Sequence, residues 1–197
     1  MQQATLTRPS LLDELIPRPD HREFSSHPVR ASEHATWSAV RAVTADEISL
    51  YRTLTWIRRF GFPTRYSSLE PPRNQPLLEA ISRNEFSRLG ETPGSEIVIG
   101  ALILTETGEF DPHRWKAREF AAVNQPGFAK LAINFAVAGG AGRSTVSSET
   151  RVWATDRTSP ETAAQAWRRA FRWSGFVRQR WLRAIASRAE AESQRRV

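Results

Sequence analysis

LAINFAVA (131–138), GGAG (139–142) and STVSSETRVWAT (144–155), followed by SPETAAQAWRRAF (159–171) and WLRAIASRAEAE (181–192), form the stretch that decides the fold. Two long β-branched runs around a glycine turn read as an antiparallel hairpin. The hairpin passes directly into a long amphipathic helix. Ser159 suits the N-cap, Pro160 the first helical position, and Glu161 the positive end of the helix dipole. Trp167, Phe171, Trp181 and Ile185 recur at helical spacing. Ser174–Gly175 interrupts that pattern and predicts a kink or a short break. A hairpin feeding such a helix predicts an α+β fold, with a curved antiparallel sheet wrapped around its own C-terminal helix. That geometry encloses a cavity between helix and sheet.

Upstream, Ser10 caps SLLDELI, which Pro17 and Pro19 end. HREFSSHPVRAS reads as a first strand, with Pro28 at an edge or bulge. Two shorter helices follow: EHATWSAVRAV behind Ser32, and ADEISLYRTLTWIRRF behind a Thr44/Glu47 capping box. TRYSSLEPPRNQP (64–76) is loop-like, and PLLEAIS forms a helical turn. EFSRLGE is a strand, TPGS a turn, and EIVIGALILT a strand buried on both faces. Residues 1–20 form a lead-in segment and 21–193 a single domain, a size that buries a core without staples.

Composition narrows the chemistry. The chain of 197 residues has no cysteine, which removes disulfides, thiolate metal sites and thiol nucleophiles. Its start lacks the charged and apolar regions of a signal peptide, and IVIGALIL is too short to span a bilayer. A cytoplasmic protein is expected. The net charge is +7, and only Lys116 and Lys130 among the basic residues are lysines. The arginines are spread along the chain rather than clustered, which argues against nucleic acid as partner. On the last helix, Arg168, Arg169, Arg172, Arg178, Arg180, Arg183 and Arg188 read as a solvated face.

No metal site and no cofactor are expected. His21, His27, His34 and His113 have no ligand spacing, and His21 and His27 lie about 20 Å apart along a regular strand. GGAGRST (139–145) has Val137 and Arg143 where a phosphate loop needs Gly and Lys, so its glycines are assigned to a turn with positive φ. Asp111, His113 and Glu119 read as loop polarity. Strand alternation places Thr150, Val152 and Ala154 under the helix, and Glu149, Arg151 and Trp153 on the solvent side. Lys130 is expected to meet Glu149 across the hairpin.

LLDELIPRPDHRE (11–23), the segment around Ala35 and Trp37, NQPGFAK (124–130) and SSETRVWATD (147–156) resemble a bacterial family of unknown function in the START-like (SRPBCC) superfamily. The resemblance covers most of residues 11–190. It implies the helix-grip fold and relatives that include carriers, sensors and polyketide cyclase-like enzymes. Fold does not give function. Pockets are mostly apolar with few polar groups. The expected ligand is a small hydrophobic molecule: lipid-, polyketide- or aromatic-like. Tyr51, Asn134, Phe135, Thr150, Val152, Trp167 and Phe171 are the candidate ligand-binding residues, with Tyr51, Asn134 and Thr150 supplying polar groups. Trp37 and Trp56 are further candidates to fill the space between sheet and helices. The alternatives are a cyclase, dehydratase or hydrolase in the same cavity, and an acidic partner or nucleic acid on the last helix.

Overall fold

The computed structural model describes residues 10–48, 74–83, 86–155 and 160–195, with the backbone alone for 160–174. In chain order the elements are α1 (Leu11–Leu15), β1 (His21–Val29), α2 (Glu33–Ala42), a 3-10 turn (Ala45–Glu47) and α3 (Leu77–Arg83). They continue with β2 (Ser87–Thr92), β3 (Glu96–Leu104), α4 (Ala117–Ala122), β4 (Phe128–Gly139), β5 (Ser144–Ala154) and α5 (Pro160–Gln194). The strands form one sheet in the order β1-β5-β4-β3-β2, and every neighbouring pair is antiparallel. α5 packs on β1, β5 and α2. This is the α+β helix-grip arrangement.

Local chemistry explains the element starts. Ser10 caps α1 in a capping box with Asp13, and the Ser32 side chain accepts from the Ala35 N–H at the start of α2. The Thr44 N–H donates to Glu47, but only the 3-10 turn and Ile48 of the helix expected there are described. The rest of that helix, with Tyr51 and Trp56, lies outside the described residues, as does Ser159. Pro28 sits in the edge strand β1, where a missing N–H costs no ladder bond. Gly94 has φ 84° in the TPGS turn.

Alternation along the central strands serves two packed faces. The outer face is covered by α1 and α4: Leu12, Leu15, Ile16, Phe120 and Val123 pack on Val98, Leu102 and Ala132. The inner face carries α2 and α5. There Trp37, Val40, Trp181, Leu182 and Ile185 pack on Ile97, Phe135, Val137 and Val146. Further along, Ile99, Ala101, Ile103, Ala129, Leu131 and Val152 form an apolar stretch flanked by Phe86. β3 therefore needs apolar residues at both parities, and eight of its nine residues are buried.

Several expectations from the sequence are corrected. Glu149 and Arg151 are not solvated; they are 6% and 5% exposed, because α1 lies across them. Lys130 does not meet Glu149: its register partner is Trp153, and Asn134 stands opposite Glu149. The turn glycines 139, 140 and 142 do not have positive φ. Gly139 is required by close approach, since a Cβ there would meet Arg143 O at 2.5 Å. α5 runs unbroken through Ser174–Gly175. Gly175 instead lets the helix approach the carboxylate of Glu23 on β1. Arg178 belongs to this contact rather than to a solvated face: it donates to Glu23 O (3.0 Å) and Glu23 Oε2 (2.9 Å).

Candidate functional site

Register settles which sequence-chosen residues share a face. Phe135 pairs with Ser148, Ile133 with Thr150, and Leu131 with Val152, so all six lie on the inner face under α5. Glu23, Ser25 and His21 of β1 stand opposite Thr150, Ser148 and Val152 and complete that face on the edge strand. Phe135, Thr150 and Val152 are thus brought together. Of Trp167 and Phe171 only the helical backbone is described, and Tyr51 lies outside the described residues.

Asn134 is corrected. It belongs to the opposite parity and the outer face. Its Nδ2 donates to Glu96 Oε1 (2.7 Å) and Ser10 Oγ (3.3 Å), and its Oδ1 accepts from the Glu149 N–H (2.7 Å). Ser10 Oγ and the Leu11 N–H also donate to Glu96, at 2.6 and 3.0 Å. All of this polarity is spent on holding α1 to the sheet. The hint in sequence is Glu96, a carboxylate opening an otherwise apolar strand.

The same outer face holds a buried charge cluster. Arg151 donates to Glu149 (2.5 Å), Asp13 (2.7 Å) and the Ile16 carbonyl (2.9 Å). Arg22, more exposed, also binds Glu149, which pushes the Arg22 pKa further up through hydrogen bonding and charge attraction. Lys130, 3% exposed, donates to Ala121 O (2.7 Å) and lies 5.6 and 4.9 Å from the ring centroids of Phe120 and Trp153. Desolvation pushes its pKa down to about 8. These are clamps for α1 and α4.

The inner face carries a different kind of polarity. Ser148 Oγ and Thr150 Oγ1 are buried without a hydrogen-bond partner, the residues being 0% and 1% exposed. Trp181 Nε1, reaching down from α5, is likewise unpartnered in a residue 8% exposed. The Trp181 ring packs, tilted, at 4.5 Å on Phe135, the cross-strand partner of Ser148. Buried polar groups are normally satisfied, and each left unpaired costs about 1–3 kcal/mol. Sequence reasoning selected Thr150 by parity but passed over Ser148 and the Trp181 N–H. The signal available was two hydroxyls at i and i+2 on the apolar side of a strand.

The remaining polar motifs resolve locally. The Asp111 carboxylate accepts from the His113 N–H, and Glu119 from the Lys116 N–H. Among the described residues no group of three or more His, Asp or Glu is gathered to hold a metal, and no helix is long and apolar enough to cross a membrane. A surface depression of about 480 Å³ runs along α5 between Glu47, Arg180, Arg183, Arg188 and Glu192. Arg188 there pairs with Glu47 (2.9 Å) and Glu192 (3.1 Å), so its charge is neutralised internally.

Fold and site together define a class: an α+β protein with the helix-grip arrangement, whose sheet turns its inner face to a long C-terminal helix. No protein-family model and no curated protein matches the sequence. Among solved structures, a protein from Thermus thermophilus is similar at 6% identity and TM-score 0.37, covering 88% of this chain and 99% of its own. A START superfamily protein from Mycobacterium smegmatis is similar at 13% identity and TM-score 0.29, covering 90% and 99%. The Zhui aromatase/cyclase from Streptomyces sp. R1128 is similar at 15% identity and TM-score 0.30, covering 86% and 94%. The fold assignment rests on the strand order and helix packing above.

Proposed function

We propose that this chain, a single domain over residues 21–193, binds a small hydrophobic molecule on the inner face of the sheet beneath α5. One observation carries the reading: Ser148 and Thr150 bury unpartnered hydroxyls on a face whose β3 and β4 residues are all apolar. A face that served packing alone would favour Ala and Val at both positions, because the hydroxyls cost stability there. A ligand that reaches them recovers that cost and makes its apolar contacts with Leu131, Phe135 and Val152. The sequence assigns Tyr51, Trp167 and Phe171 to the same site.

Titration with 1-aminoanthracene tests the proposal. Saturable one-to-one binding is expected, with shifts of the Leu131 and Val152 methyl resonances. Val152→Trp fills the face and should weaken binding at least tenfold while the far-UV spectrum stays unchanged. Non-saturable uptake, or shifts confined to the outer face around Leu12 and Phe120, would reject it.

A further inference from the structure

We infer that the molecule bound on the inner face is a neutral, oxygen-bearing aromatic, held by an acceptor oxygen at the Trp181 end of the face. This rests on the binding reading above and adds the chemistry of the ligand. Among the described residues, Trp181 Nε1, Ser148 Oγ and Thr150 Oγ1 are buried on this face without a partner. Ser148 and Thr150 are two residues apart on β5 and so lie about 7 Å from one another along the strand. Trp181 packs on Phe135, which is directly opposite Ser148. Trp181 and the first hydroxyl are therefore both neighbours of Phe135, and the second hydroxyl continues the line toward Val152.

Their chemistry is asymmetric. An indole N–H can only donate, whereas each hydroxyl donates once and accepts as well. A bare hydrocarbon leaves all three unsatisfied. A ligand with only donors leaves the indole unsatisfied. A carbonyl or ether oxygen satisfies the indole, and a second oxygen further along would meet Thr150.

The described charges on the face disfavour an anion as the preferred form. Among the described residues, Arg178 and Arg88 on this side are held by Glu23 and Glu91. Glu23 stands directly opposite Thr150, which disfavours a second carboxylate at that end. Aromatic neighbours Phe135 and Trp181, with Phe86 and Phe110 tilted at 5.7 Å at the far end of the inner face, favour a flat ring system over a flexible chain.

The test compares 9-fluorenone with fluorene, which has the same tricyclic frame without the oxygen, and with fluorene-9-carboxylate. Binding is followed by calorimetry and by the Trp181 indole N–H resonance. The ketone should bind about tenfold tighter than the hydrocarbon, the scale of one satisfied buried donor. Trp181→Phe keeps the ring on Phe135, removes the donor and should bring the two within about twofold, the indole hydrogen bond being the only one lost. In the unmodified protein the indole resonance should move with the ketone and stay with the hydrocarbon, which decides the matter even if Trp181→Phe fails to fold. Equal affinity for ketone and hydrocarbon, or tighter binding of the carboxylate, overturns this inference and leaves the binding site standing. Binding of none of the three overturns the binding site as well.

Discussion

Replacing Arg151 by Met should cost the protein about 3–4 kcal/mol, near the lower end of the range for a broken buried pair. The figure follows from its surroundings. Arg151 is 5% exposed and serves three acceptors: the Glu149 carboxylate, the Asp13 carboxylate and the Ile16 carbonyl. Met retains most of the aliphatic stem contact, so the loss is electrostatic. Glu149, 6% exposed, keeps only Arg22, whose side chain is largely in water. Asp13 is half exposed and rehydrates at little cost. The Ile16 carbonyl at the end of α1 loses its side-chain donor, about 1 kcal/mol more. Urea unfolding of the wild type, Arg151→Met, Glu149→Gln and the double variant measures the cycle. The double variant should be less destabilised than the sum of the singles by about 1.5–3 kcal/mol, since the second change removes the stranded charge. Hydrogen exchange of α1 should rise in Arg151→Met before that of β4 and β5. A single-variant loss below about 1 kcal/mol, or a coupling below about 0.5 kcal/mol, would refute the claim that this cluster clamps α1.

Gly175→Ala should destabilise the protein even though alanine is the better helix former by about 1 kcal/mol, because its Cβ displaces the Glu23 carboxylate from Arg178. In a Glu23→Ala background the same substitution should become neutral or stabilising, and thermal unfolding of the four proteins reads the sign reversal. Lys130 imposes a pH slope. Its folded pKa lies below the unfolded one near 10.5, so the unfolded chain holds the extra proton and stability rises with pH between about 8 and 10.5. At about 1.4 kcal/mol per pK unit the full rise across those two pKa values is about 3–4 kcal/mol, reduced by whatever attraction the protonated amine retains for Phe120 and Trp153. Lys130→Met should lack that slope, and parallel urea curves at pH 7.5 and 10 would disclose it; equal slopes in the two proteins would contradict the assignment.

The hairpin, the edge strand and the capped helices were legible because their signals are local. The Ser10 cap, the Pro28 edge position and the doubly apolar run of β3 each depend on neighbours within a few residues or on burial of both faces. Alternation along β5 correctly divided Thr150 and Val152 from Glu149 and Arg151, since the strand period is two whatever covers the sheet. Alternation does not say what covers each side. The charged parity read as solvated is buried because α1, more than a hundred residues away in sequence, lies on it.

By itself the sequence determined element types, the hairpin and the helix that follows it, for these rest on backbone propensity and hydrophobic period. Only the tertiary structure decided that Asn134 belongs with Ser10 and Glu96, that Arg178 reaches Glu23, and that Ser148, Thr150 and Trp181 bring unpartnered polar atoms to one face. Such assignments depend on which distant groups compete for each donor and acceptor, and that competition is settled only when sheet register and helix docking bring them into contact.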